Sequence, residues 1–317
     1  MTEIVLLILP IFLLIGLGFI ALRTGMMTGA QNAGLAAFVL NFALPAVIIL
    51  GFSRPEMIAE FNPGYVFAYG GGSLVAFLGT FAILKVALRR SLARAAIGAM
   101  GGSASNSGFI GYPVTALVIG PTAMIALPFT MLVENLLIIP LALALAEFGT
   151  SKETSLARVL RQTVVRLSRM PILIAVVVGS ALALSGVSLP GPALSTLELL
   201  AAASAPCALI AVGGIIAELK RGDVSGDALW VAAGKLVLHP VAVTAFMVAT
   251  PGIPSELMAA GILFSCVSMI TIYPLLAGRF GEGKMGAAAL VVATVVGLAT
   301  LAVVISLLLL GPLASPG

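Results

Sequence analysis

The chain has 317 residues, of which 61% are hydrophobic and 9% charged, with a mean hydropathy of +1.21 and a formal net charge of +4. So little polar surface cannot coat a soluble domain of this size, which excludes a water-soluble enzyme and leaves a protein that lives in lipid. No basic, aromatic-studded groove of the kind a nucleic-acid binder needs can be found, and no cofactor or metal motif is present.

Apolar runs near the ~20 residues that cross a bilayer recur from end to end and divide into ten predicted helices. They run over 4–22, 32–53, 64–86, 96–118, 123–146, 170–188, 194–218, 228–249, 256–277 and 285–310. The first follows an acidic Met1-Thr2-Glu3 and ends at Arg23, the reverse of a secretory signal's charge layout, so it reads as a retained helix. The second carries Asn41 and Pro45, the fifth Glu134 and Asn135, and the eighth Lys235 and His239. Cys207 and Cys266 lie within the seventh and ninth runs and read as small buried hydrophobes. The longest stretch able to fold in water, about Glu147 to Arg169, is linker-sized.

With the N-terminus outside, the inner loops hold Arg23, Lys85, Arg89, Arg90, Arg94, Lys152, Arg158, Arg161, Arg166, Arg169, Lys220, Arg221, Arg279 and Lys284, which is 14 of the 16 basic residues. Arg54 alone sits in an outer loop, and Lys235 falls inside a span. The positive-inside rule therefore predicts a multi-pass inner-membrane protein with both termini outside.

Pro10 and Pro171, Pro45 and Pro206, and Pro113 and Pro274 are each 161 residues apart, and Tyr112 and Tyr273 coincide at the same offset. This register predicts two five-helix repeats, 1–149 and 170–317, joined by a cytoplasmic linker over 150–169. Five is odd, so the second copy enters the membrane from the opposite side, as in the inverted repeats of secondary transporters.

The fourth span contains Gly101-Gly102-Ser103-Ala104-Ser105-Asn106-Ser107-Gly108-Phe109-Ile110-Gly111-Tyr112-Pro113, a composition that suits an interrupted helix, or else only close helix packing. Its partner in the ninth span, Ser265-Cys266-Val267-Ser268-Met269-Ile270-Thr271-Ile272-Tyr273-Pro274, also ends in Tyr-Pro. Two broken helices that cross near the bilayer centre would leave unpaired N–H groups and positive dipole ends, an anion-accepting site unless a side chain fills it. Substrate contacts are therefore expected from Ser103, Ser105, Asn106, Ser107, Gly108, Tyr112, Ser268, Met269, Ile270 and Thr271, with Asn41 a further candidate. Glu134, Lys235 and His239 are costly to bury in lipid. They read either as a charge network that couples transport to protons or as structural groups, Glu134 in a static pair with Lys235 and His239 bonded to a backbone carbonyl. Asn135 joins them as a candidate, interhelical hydrogen bonding being the alternative for it and for Asn41.

These residues carry a family resemblance. Leu40-Asn41-Phe42-Ala43-Leu44-Pro45, Asn106-Ser107 followed by Gly111-Tyr112-Pro113, Ser204-Ala205-Pro206 with Val212-Gly213-Gly214, and Lys235 to Pro240 resemble bacterial members of the auxin efflux carrier family, relatives of the plant PIN carriers. The resemblance implies a fold like that of sodium/proton antiporters and bile-acid symporters. Spans one, two, six and seven would form a scaffold that makes a homodimer, and spans three to five and eight to ten a mobile transport domain. It further implies a carboxylate substrate such as malonate, malate or an auxin-like acid. Asn106 takes the place of the family's substrate-contacting asparagine and Ser107 that of its threonine, whereas Ser105 and Ser268 stand where the family has crossover prolines. A channel would need a ring of like charges, a sensor a signalling domain, and an intramembrane enzyme a nucleophile with a base; a secondary carrier fits better than any of them.

Overall fold

A computed structural model describes residues 2–53, 62–150, 165, 171–187, 189–218 and 225–310. Most of the expected linker over 150–169 lies outside these residues, as do Arg54, Lys152, Arg158, Arg161, Arg166, Arg169, Lys220 and Arg221. The described chain is all helical, without a strand. Its helices are α1 (Thr2–Arg23), α2 (Gly29–Phe52), α3 (Pro63–Ala87), α4 (Leu92–Ser103), α5 (Ser107–Ile119), α6 (Thr122–Thr150), α7 (Pro171–Ser185), α8 (Gly191–Glu218), α9 (Gly226–Ala249), α10 (Ser255–Cys266), α11 (Tyr273–Gly278) and α12 (Gly283–Leu310). Six of them, α2, α3, α6, α8, α9 and α12, are long and apolar enough to cross a membrane. Large apolar side chains such as Phe67, Val178, Leu199 and Val241 face outward, as a protein solvated by acyl chains requires.

Prolines shape the helices in a regular way. The π-helical turns Val39–Ala43, Ser107–Gly111, Glu134–Ile138 and Gly234–Leu238 each end two residues before a proline: Pro45, Pro113, Pro140 and Pro240. A proline in mid-helix removes one N–H and drives its ring against the carbonyl four residues earlier. Widening the turn by one residue moves that carbonyl aside, and the next donors reach five residues back, as when Ile139 N bonds Glu134 O and His239 N bonds Gly234 O. The side chains of Asn41 and Asn135 then donate into their own helices, to Ala37 O and Met131 O, each at 2.8 Å. Both bonds stay within one helix, so neither is the interhelical bond that was the alternative to a site role for these asparagines.

The chain forms two compact units. Unit 1 takes α1, α2, α5 from Gly108, α6 as far as Phe129, α7 and α8. Within it α1 and α8 meet backbone to backbone at glycines. A Cβ on Gly213 would fall 2.7 Å from Phe19 N and 2.9 Å from the Ile15 carbonyl carbon, and one on Gly18 would fall 2.8 Å from the Ile210 carbonyl carbon. Small residues let lipid-embedded helices gain dispersion contact in this way, where no hydrophobic effect drives them together. Buried Asn32 adds a bond from Nδ2 to Ala211 O at 3.1 Å.

Unit 2 takes α3, α4, Ser107, the remainder of α6 and α9 to α12. Ser91 caps α4 by accepting from Arg94 N at 3.2 Å. Buried Asp227, in the first turn of α9, accepts from Arg90 Nε and Arg94 Nε at 3.2 and 2.7 Å, and Arg94 also reaches Glu282 at 2.9 Å.

Candidate functional site

The site lies in unit 2, where two interrupted helices meet. The fourth predicted span is broken after Ser103: Ala104 turns extended (φ −99°, ψ 122°), and helical structure resumes at Ser107. The ninth is broken after Cys266, with Val267 extended (φ −75°, ψ 163°) and helix resuming at Tyr273. The two short segments run antiparallel. Asn106 N donates to Ser268 O at 2.8 Å and Ile270 N to Ala104 O at 3.2 Å, forming an isolated bridge between Ser105 and Met269. Such pairing satisfies backbone groups that no water could satisfy in the bilayer interior. A side-chain bond from Asn106 Nδ2 to Thr271 Oγ1 at 2.9 Å spans the same junction. Gly108 already lies in the π turn Ser107–Gly111.

Glu134, directly after the α-helical stretch that contains Pro128 and buried at the start of its own π turn, gathers three donors on Oε1. They are Ser107 Oγ at 2.7 Å, Tyr69 OH at 3.1 Å and Ser105 N at 3.2 Å. The carboxyl thus occupies the positive start of α5, satisfying an amide and a hydroxyl there. A proline at position 105 would have no N–H to offer it, which gives serine at that position a physical role.

Lys235 does the complementary work at the opposite dipole end. Its Nζ donates to Ser265 O at 2.6 Å, within the last turn of α10, and sits 2.8 Å from His239 Nδ1. His239 Nε2 is 2.9 Å from Ser73 Oγ, and its ring stands edge-on to Tyr69. Two of the structural alternatives take another form here. Among the described residues Glu134 and Lys235 form no direct ion pair, since each is held by a different half-helix. His239 bonds Lys235 and Ser73 rather than a backbone carbonyl, since it stands four residues after Lys235 on the same helix face.

The structure brings together in unit 2 the expected residues Ser103, Ser105, Asn106, Ser107, Ser268, Met269, Ile270, Thr271, Glu134, Asn135, Lys235 and His239. Asn41, Gly108 and Tyr112 belong to unit 1. Much of the expected anion cradle is already in use. Glu134 takes the Ser105 amide and the Ser107 hydroxyl, and the crossing takes the amides of Asn106 and Ile270. Among the described residues the donors left over at the crossing include the second N–H of the Asn106 amide, the hydroxyl proton of Thr271, whose oxygen accepts from Asn106, and the buried hydroxyl of Ser268.

The sequence reading missed Tyr69, Ser73 and Ser265. The first two had a signal, because Tyr65, Tyr69, Ser73 and Phe77 recur every four residues along α3 and all are buried. Tyr65 bonds Thr130 at 2.5 Å on the same face. Ser265 contributes through its carbonyl, which no residue type reports.

Comparison with known proteins identifies the family. A family model described as "Membrane transport protein" matches residues 3–305. A protein named "Putative malonate transporter" from Rhizobium meliloti (strain 1021) is 30% identical over 242 residues, covering 76% of this chain and 75% of the relative. The "Uncharacterized transporter YfdV" of Escherichia coli (strain K12) and its counterpart in Shigella flexneri are 26% identical over 249 residues, covering 74% of this chain and 75% of theirs. A model spanning nearly the whole sequence leaves one family, and the chain belongs to it: the membrane transport proteins that comprise the auxin efflux carriers, whose motifs the second, fourth and seventh spans resemble.

Proposed function

We propose that this protein is a secondary transporter that moves a small organic anion, a carboxylate of the malonate class, across the inner membrane by alternating access. The observation that carries this is the bridged crossing of two interrupted helices, with Asn106 and Thr271 holding spare donors beside it. The name of the Rhizobium meliloti relative supports the carboxylate class.

The ten-span inverted repeat, with both termini outside, is part of the same reading, and the interruptions at equivalent places in the two halves support it. Unit 1, with α1, α2, α7 and α8, corresponds to the scaffold through which the protein would dimerise, and unit 2 to the mobile transport domain. Gly108 to Phe129 groups with unit 1, so the transport domain proposed from the structure excludes this piece of the fourth and fifth spans. Proton coupling would run through Glu134, with Lys235 and His239 charged or neutral beside it.

Purified protein screened by thermal shift against mono- and dicarboxylates should be stabilised by at least one of them, and that compound should enter liposomes faster when a proton gradient is imposed. Stabilisation by no carboxylate, or uptake that saturates with none, would refute the substrate class. Uptake indifferent to the gradient would refute the coupling alone.

A further inference from the structure

Unit 2 has a basic end apart from the crossing. α3 finishes in a fifth π turn, Ile83–Ala87, which carries Lys85 and is followed by Arg89 and Arg90. Lys85 Nζ folds back to donate to Arg90 O at 3.3 Å. Arg89 holds a left-handed backbone with φ 53°, a conformation that glycine adopts with less strain. Arg90 and Arg94 share Asp227, and Arg94 also takes Glu282. Lys85 and Arg89, both exposed, have no carboxylate partner among the described residues.

The same corner presents apolar surface. Leu84 and Val231 meet beside Gly98, whose Cβ would lie 3.2 Å from Val231 Cγ2 and 3.6 Å from Leu84 Cγ, so the end of α3 and the start of α9 are neighbours. Next to these buried residues Val86 is 72% exposed, Leu229 50% and Trp230 47%. Trp230 is the single tryptophan of the chain. Cations without a carboxylate partner among the described residues, an indole and exposed aliphatic side chains at the end of two membrane-length helices match a phospholipid, with its phosphate above and its acyl chains alongside.

We propose that Lys85 and Arg89 bind the headgroup phosphate of an anionic phospholipid whose acyl chains lie against Val86, Leu229 and Trp230. Arg90 and Arg94 are committed to Asp227 and position the turn. A lipid held here would anchor unit 2 at the membrane surface.

The lone tryptophan reports on this site. Full-length protein is reconstituted in nanodiscs of mixed phosphatidylcholine and phosphatidylglycerol, with one or the other lipid brominated to quench Trp230 fluorescence. The expected relative association constant favours phosphatidylglycerol by about threefold or more, given two exposed cations without a carboxylate partner among the described residues. It should fall to near one in Lys85→Gln/Arg89→Gly, where glycine at position 89 also relieves the left-handed backbone and keeps the variant folded. A wild-type constant near one, or a preference unchanged in that variant, overturns the proposal. Inorganic phosphate should erode the preference no more than sodium chloride at equal ionic strength; selective loss with phosphate would mean a soluble ligand and would also overturn it.

Discussion

Glu134→Ala is expected to unfold the crossing more than any other single truncation in unit 2. In the native protein its Oε1 accepts from Ser105 N, Ser107 Oγ and Tyr69 OH. Tyr69 keeps a second partner, Ser105 Oγ at 3.3 Å, so it is only partly orphaned. The Ser105 amide and Ser107 hydroxyl, both buried, lose the acceptor they have. An unsatisfied buried donor costs about 1–3 kcal/mol, so two of them, after some relaxation, should cost about 3–4 kcal/mol. Glu134→Gln retains a carbonyl oxygen in the same place and should cost only about 1 kcal/mol, the difference between charge-assisted and neutral bonds. Equilibrium unfolding of the three proteins in mixed micelles measures both values. An alanine variant within ~0.5 kcal/mol of wild type, or a glutamine variant as unstable as alanine, would refute the idea that this oxygen ties the crossing together.

Asn106→Ala should weaken carboxylate binding by about 1.5–3 kcal/mol, the range for a hydrogen bond to a charged partner, when titrated by calorimetry; unchanged affinity would remove Asn106 from the site. Tyr273→Phe removes a buried hydroxyl that has no hydrogen-bond partner among the described residues, so thermal unfolding should find the variant as stable as wild type or more so. Gly213→Ala should destabilise unit 1 by about 1–3 kcal/mol, because the new methyl meets the backbone of α1, which cannot rotate away as a side chain would; a neutral effect in micelle unfolding would argue against that close packing. Glu134→Gln in liposomes should take up carboxylate without a response to an imposed proton gradient, since an amide does not titrate; a parental response would exclude Glu134 as the coupling site.

Composition and hydropathy were enough to place this chain in lipid, because desolvating peptide groups leaves helices as the only spanning elements for a chain so uniformly apolar. Six of the ten predicted spans correspond to described helices long and apolar enough to cross a membrane, and the Gly-Gly-Ser-Ala-Ser-Asn-Ser run marked where another one breaks. The prolines at 45, 113, 140 and 240 were equally visible, and each widened the turn before it, a local steric effect that needs no partner. Which charge meets which could not be read this way. Glu134 and Lys235 are complementary in sign and were natural partners on paper. In the fold each finds a half-helix end first, Glu134 at the Ser105 amide and Lys235 at the Ser265 carbonyl. Those backbone groups are freed only once two distant segments unwind and cross, 163 residues apart at Ser105 and Ser268, so their demand for a charge is a property of the tertiary structure and is written in no local pattern.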